Sequence, residues 1–161
     1  MTRHGKVVSR STLQQIRQDL ARQGRTVVLT NGCFDVLHRG HVEYLRQARQ
    51  LGDVLIVGLN SDASVQGLKG AGRPFMPEED RAVLLAELRC VSYVCIFDEL
   101  SVEGLVAELA PDVLAKGGDY RTEEIVGHEL VQEAGGVVTS LVLRAESSTT
   151  TLIQKIKDVE D

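Results

Sequence analysis

Short apolar runs alternate with amphipathic stretches along most of the chain. In the first amphipathic stretch, 9–23, Leu13, Ile16 and Leu20 recur at the spacing of one helical face, and Gly24 follows as a stop signal. A short β-branched run at 25–30 comes next and has the length and composition of a strand. The same alternation repeats to the end of the sequence, so the pattern predicts strands that are separated by helices.

The predicted elements form a simple series. The predicted strands are 25–30, 54–59, 93–97, 113–115 and 137–143. The predicted helices are 9–23, 40–50, a short helix after residue 60, 77–89 with Pro77 at its first position, 101–109, 122–134 and a last helix after residue 148. Such alternation favours a parallel sheet with helices on both faces. We therefore expect an α/β protein with a doubly wound, mostly parallel five-stranded sheet, and one domain over 1–161.

Composition and charge limit the partners that the chain can have. The formal net charge is -5 and the pI is about 5.4, whereas broad binding to nucleic acid or to an anionic membrane requires a basic surface. No apolar run approaches the ~20 residues that a membrane span needs. The cysteines, Cys33, Cys90 and Cys95, are odd in number, and no apolar leader precedes them. We expect a reduced, cytoplasmic protein that binds neither nucleic acid nor membranes. Any phosphate site must then be formed by a local group of residues and not by a basic surface.

Polar and glycine-rich segments follow four of the predicted strands. In open α/β sheets, ligands bind beyond the carboxyl ends of the strands. The segments at these ends are 31–35, 60–62, 116–119 and 146–150. Two histidines follow the first of them in the sequence. Each segment contains groups that hold phosphate, ribose or the edge of a base. We expect the four segments to converge on one binding site.

The stretch TNGCFDVLHRGH places His38 and His41 three residues apart at the start of a predicted helix. A zinc site with Cys33 and Asp35 is one interpretation, but the sequence supplies no second ligand pair. Packing or capping histidines are another. A phosphate site fits best, because Gly40 lets a phosphate approach the backbone and neutral imidazoles can donate to oxygens that gain charge in a transition state.

Two further segments keep alternative interpretations. The hydroxyls of Ser148, Thr149 and Thr150 begin the last helix, where backbone N–H groups and the helix dipole favour an anion. One of these hydroxyls could equally be an ordinary helix cap. Asp62, after the second strand, is either a ligand of an acceptor sugar or a cap of the next helix.

These motifs resemble those of a known superfamily. The run from Asn31 through Asp35 to His41 resembles the G-x-F-D-x-x-H-x-G-H signature of cytidylyltransferase-like nucleotidyltransferases, and 148–150 resembles their S-T-T element. The segments LNSDASVQGLKGAGRPFMPEEDR and LAKGGDY are similar to those of the bacterial D-glycero-β-D-manno-heptose 1-phosphate adenylyltransferases, which make ADP-heptose for lipopolysaccharide. The resemblance covers about 6–157 and indicates the stand-alone form, without the sugar kinase to which these enzymes are often fused. Two positions depart from the family pattern, Ser92 in place of aspartate and Glu146 in place of glycine.

The resemblance implies a Rossmann-like nucleotidyltransferase fold and a role for each matching residue. His38, His41 and Lys69 would be catalytic and would act on the phosphates, while Lys69 and Asp62 would face the acceptor. The positions implied for ATP binding are Asn31, Gly32, Cys33, Phe34, Gly40, Arg81, Gly117, Asp119, Ser148, Thr149 and Thr150.

The implied reaction joins ATP to a sugar 1-phosphate and releases pyrophosphate. Mg²⁺ would be held mainly by the ATP phosphates and not by protein ligands, and a homo-oligomer is expected. Two alternatives remain. One is the same chemistry with another acceptor, such as glycerol 3-phosphate or a flavin precursor; the other is a catalytically silent nucleotide sensor.

Overall fold

The sheet consists of five strands, β1 (Val27–Gly32), β2 (Val54–Asn60), β3 (Tyr93–Phe97), β4 (Val113–Gly117) and β5 (Val137–Leu141). The computed structural model describes residues 5–144 and 148–159. All neighbouring strands pair in parallel, in the order β3-β2-β1-β4-β5. The order reverses between β1 and β4, which is where ligands bind in such sheets. The predicted doubly wound α/β fold is confirmed.

Seven α-helices and one 3-10 turn in the described part of the chain surround the sheet. They are α1 (Arg10–Arg22), α2 (Arg39–Arg49), α3 (Asp62–Lys69), α4 (Glu78–Glu87), α5 (Glu103–Leu109), the 3-10 turn (Thr122–Glu124), α6 (His128–Glu133) and α7 (Thr149–Lys157). Helices α1, α5 and α6 cover one face, whereas α2 and α4 cover the other. Because both faces are covered, every residue of β2 is buried. None of the described helices is long and apolar enough to cross a membrane.

Two predictions about helices were wrong. The helix predicted over 122–134 is divided into the 3-10 turn and α6, because Gly127 between them has a φ of 91°, which lies outside the helical region. Pro77 precedes α4 as its extended N-cap and is not its first helical residue. The short helix predicted after residue 60 is α3, and Lys69 is its last residue.

The two departures from the family pattern have different outcomes. The Ser92 hydroxyl oxygen accepts a hydrogen bond from the Leu55 backbone N–H over 3.1 Å, so this position still supplies an acceptor oxygen to the start of β2. Glu146 lies outside the described residues, together with Ala145 and Ser147.

Candidate active site

A pocket of about 640 Å³ opens at the carboxyl ends of β1 and β4. This volume suits a small-molecule ligand. The predicted site residues that line it are Asn31, Gly32, Cys33, Phe34, His41, Lys69, Gly117 and Thr149. The ends of β1 and β4, the first turn of α2, the end of α3 and the start of α7 therefore meet at one pocket.

The turn after β1 supports His41 through Phe34. Phe34 has a φ of 45° and is buried, and its ring meets the His41 ring edge-on at a centroid distance of 5.2 Å. A Cβ at Gly32 would stand 2.9 Å from that ring, so glycine leaves the space that Phe34 needs. The resemblance assigned Phe34 to ATP through its backbone, whereas the structure shows that its side chain packs against His41.

His38 and His41 form a stacked pair at the beginning of α2. Their ring centroids are 3.8 Å apart, with 23° between the planes. His38 is the N-cap of α2, and its backbone N–H donates to Nδ1 of His41 over 3.4 Å. Gly40 is buried between them and does not line the pocket. The histidines are thus held by the helix start, and the His41 ring lies at the pocket surface.

Burial keeps both imidazoles neutral. Burial, together with the smaller effects of nearby His38 and Lys69, lowers the pKa of His41 from 6.5 to about 4. Burial also lowers the pKa of His38. A neutral His41 that accepts a hydrogen bond at Nδ1 carries its proton on Nε2, so this nitrogen is a donor.

Asp35 is buried and fastens a loop to the turn after β1. Its carboxylate accepts hydrogen bonds from Arg73 Nε over 2.7 Å, from the Phe75 N–H over 2.8 Å and from the Met76 N–H over 3.1 Å. Burial acts to raise the pKa of Asp35, but the hydrogen bonds from Met76, Arg73 and Phe75 outweigh it and the pKa is lowered. The sequence placed Asp35 in the segment 31–35 and suggested a zinc ligand as one role; the described residues contain no cluster of three or more groups that could hold a metal ion.

Arg81 is fully buried and does not line the pocket. Its guanidinium donates to the carbonyl oxygens of Cys33 over 2.7 Å, Asn60 over 2.8 Å and Met76 over 2.9 Å. A fourth bond, of 2.7 Å, goes to the Asp62 carboxylate. The arginine expected at the ATP phosphates therefore joins the ends of β1 and β2 to the loop before α4.

Asp62 is not the cap of the helix that follows it, so one of its two sequence interpretations is wrong. Ser61 caps α3, since its hydroxyl oxygen accepts from the Ser64 N–H over 3.2 Å. Asp62 follows as the first helical residue, pairs with Arg81 and does not line the pocket. Its assignment to the acceptor stays a prediction.

The start of α7 reaches the histidine motif. The Thr149 hydroxyl donates to the Val36 carbonyl oxygen over 3.2 Å, and Thr149 lines the pocket. Ser148 is the cap, because its hydroxyl oxygen accepts from the Thr151 N–H over 3.0 Å. Ser148 and Thr150 are exposed and do not line the pocket. One hydroxyl thus caps α7 and its neighbour lies at the pocket, and the anion site at this helix start stays a prediction.

The end of β4 contains both predicted and missed residues. A Cβ at Gly117 would stand 3.2 Å from the Tyr44 ring and 3.1 Å from Leu143, which explains the need for glycine. Asp119 is exposed and does not line the pocket. Lys116 lines it and belongs to the segment 116–119 that was expected at the site, but no individual role was predicted for it. Its position one residue before the glycines was the signal that could have identified it.

Comparison with known proteins agrees with this arrangement. The cytidylyltransferase-like family profile matches residues 29–155. The bifunctional protein HldE of Syntrophotalea carbinolica is 50% identical over 153 residues, which is 95% of this chain and 31% of the relative. HldE of Trichlorobacter lovleyi is 49% identical over 151 residues, with shares of 94% and 31%. The chain therefore spans about a third of the length of these curated relatives.

A solved structure is also similar. The crystal structure of the lipopolysaccharide core biosynthesis protein from Thermoplasma volcanium GSS1 has a TM-score of 0.59 and 28% identity to this chain, and the match covers 75% of this chain and 98% of that one.

Proposed function

Because the chain belongs to the cytidylyltransferase-like family, we propose that it is an adenylyltransferase that transfers AMP from ATP to D-glycero-β-D-manno-heptose 1-phosphate. The products are ADP-heptose and pyrophosphate. The observation that carries the proposal is the pocket at β1 and β4, in which a neutral His41, Lys69 and the start of α7 face one space. The identity to the HldE proteins and the segments around Lys69 and Gly117 support heptose 1-phosphate as the acceptor.

The proposed reaction is one direct displacement at the α-phosphorus. An oxygen of the sugar 1-phosphate forms the new bond to the α-phosphorus, the bond to the oxygen bridging the α- and β-phosphorus atoms breaks, and pyrophosphate leaves with that oxygen. A phosphate monoester is already a competent nucleophile, so the enzyme needs no nucleophile or general base. Its contribution is positioning and stabilisation of charge.

His41 is suited to that stabilisation. Its Nε2–H can donate to a phosphate oxygen that gains negative charge, and a neutral donor does not bind the ground-state triphosphate as tightly as a cation would. The N-terminus of α7 is linked to the motif through Thr149 and offers backbone N–H groups to the departing pyrophosphate. Lys69 supplies a positive charge at the end of α3.

A divalent cation is the expected companion of the triphosphate, and we propose Mg²⁺ for that role. No cluster of three carboxylate, histidine or cysteine side chains within residues 5–144 and 148–159 offers it a site. We expect the ion to enter bound to the ATP phosphates. Mg²⁺ would supply charge neutralisation along the triphosphate, and the roles of His41, Lys69 and Thr149 do not depend on a bond to it.

A homo-oligomer in the cytoplasm completes the proposal. Helix α7 buries none of its residues, and Leu152 and Ile156 on its surface are exposed. These side chains are therefore not part of the core of a single chain, which supports the expectation that they contact another copy.

Pyrophosphate release tests the function directly. We expect release from ATP and heptose 1-phosphate together, from neither alone, and much less when CTP replaces ATP. Release with glycerol 3-phosphate or with a flavin mononucleotide in place of the heptose would indicate a different acceptor. Binding of ATP without release under any of these conditions would identify a silent nucleotide sensor.

A further inference from the structure

Lys116 is a cationic side chain in the pocket to which the proposed mechanism gives no role. It is the next-to-last residue of β4, is half-buried and lines the pocket. Its Nζ lies 5.9 Å from the centre of the Tyr120 ring. No carboxylate among residues 5–144 and 148–159 forms an ion pair with it. A partly buried ammonium without an anionic partner is costly, and an anionic ligand would offset that cost.

The strand pattern places Lys116 on a defined face of the sheet. Leu114 belongs to the core beside α1, α5 and α6, whereas Val113 and Ala115 belong to the core beside α2 and α4. Because side chains alternate along a strand, Lys116 lies on the same face as Leu114. The His41 helix, α2, covers the opposite face. Lys116 and His41 therefore approach the pocket from opposite faces of the sheet.

In-line displacement gives this separation a chemical meaning. The attacking and the leaving oxygen must lie on opposite sides of the α-phosphorus. The groups suited to the leaving pyrophosphate, His41 and the start of α7, lie together on the α2 side, since Thr149 bonds to Val36 just before that helix. The attacking phosphate must then come from the other side, where the cation is Lys116.

We propose that Lys116 binds the phosphate of the acceptor, the sugar 1-phosphate, and orients it for attack. The inference rests on the proposed function and names the acceptor subsite within the same pocket. The ammonium holds phosphate oxygens that do not attack, and it forms no covalent bond. Burial lowers the pKa of Lys116 while the nearby Cys33 sulfur acts in the opposite direction, and a bound phosphate dianion strengthens the charged form.

The test is the kinetics of Lys116→Met with each substrate varied in turn. Loss of a charge-assisted hydrogen bond should raise the KM for heptose 1-phosphate by about tenfold or more, while the KM for ATP changes by less than about twofold. Lys116→Arg keeps the charge and should restore part of the acceptor affinity. The matched control is Lys155→Met, an exposed lysine in the last turn of α7, which should leave both KM values unchanged.

Other outcomes would overturn the assignment. An equal rise in the KM for ATP would show that Lys116 binds the nucleotide. No change in either KM would show that Lys116 binds neither substrate. If Lys116→Met does not fold, acylation of the unmodified protein gives the answer: heptose 1-phosphate should protect the Lys116 amine more than ATP does, as read by peptide mass. Failure of the proposed function looks different, because the unmodified protein would then release no pyrophosphate with heptose 1-phosphate.

Discussion

The backbone N–H of His38 donates to Nδ1 of His41 over 3.4 Å. This bond selects the tautomer of the second histidine and leaves Nε2–H as the donor at the pocket. The stacked ring of His38 holds that donor in place. The pair therefore divides two tasks, because one histidine supplies the orientation and the other presents the proton.

Replacing His41 with alanine should lower kcat by about a hundredfold or more, because the loss of one transition-state donor has an effect of that size. The measurement is initial-rate pyrophosphate release at saturating ATP and acceptor. His41→Gln keeps an amide N–H and should retain more activity than the alanine variant. Unchanged turnover in His41→Ala would remove this residue from the catalytic set.

The low pKa of His41 predicts that acid destabilises the fold. The unfolded imidazole takes up a proton near pH 6.5, whereas the folded one does so only near pH 4, so the unfolded state binds more protons between these values. The stability that the neutral His41 gives the folded state is fully present above pH 6.5 and is lost as the pH falls towards 4. Urea unfolding at several pH values within this window should show a shallower loss of stability in His41→Gln than in the unmodified protein. Parallel curves for the two proteins would contradict the prediction.

Arg81→Met should destabilise the fold and not merely weaken ATP binding. Three carbonyl oxygens, one buried and two partly buried, would lose their donor, at a cost of about 2 kcal/mol or more in the free energy of unfolding. The comparison variant is Asp62→Asn, which disturbs only the half-exposed end of the ion pair and should cost less than about 1 kcal/mol. Urea denaturation measures both values. A stable Arg81→Met with weaker ATP binding alone would instead support direct phosphate contact.

Asp35→Ala should release the loop before α4 while leaving the sheet intact. The Phe75 and Met76 amides would lose their acceptor and should exchange with deuterium about tenfold faster or more, whereas amides of β2 should keep their rates. Glu43→Ala is the control, because Glu43 forms exposed ion pairs with Arg39 and Arg144 and is not bonded to the Phe75 or Met76 amides. If exchange at 75 and 76 stays slow in Asp35→Ala, the carboxylate is not what holds the loop.

The sheet and the histidine motif could be predicted because their signals are local. Apolar runs at 54–59 and 93–97 are bounded by polar residues, and the structure has strands there with nearly the same limits. The spacing of His38 and His41 places both at one helix start wherever that helix lies. Such features depend on neighbours in the sequence, so the sequence alone was sufficient for them.

The roles of Arg81, Asp35 and Lys116 depend on long-range contacts instead. Arg81 bonds to Cys33 and Asn60, which end two other strands, and nothing in the segment around Arg81 indicates that it is buried. Asp35 finds its partners in a loop that begins after α3. Gly127 was ambiguous for another reason, since a glycine inside a helical pattern can be tolerated or can end the helix.

The pairing of β1 with both β2 and β4 has a consequence for how the protein acquires its activity. Val28 is opposite Leu55 in β2 and opposite Val113 in β4. A growing chain that ends at Phe97 already contains the histidines and three adjacent strands, but it lacks the fourth strand and the last helix that complete the pocket. Long-range pairing of this kind is slow to form. A chain of that length cannot form the complete pocket, so nucleotide binding there requires synthesis to continue through the start of α7.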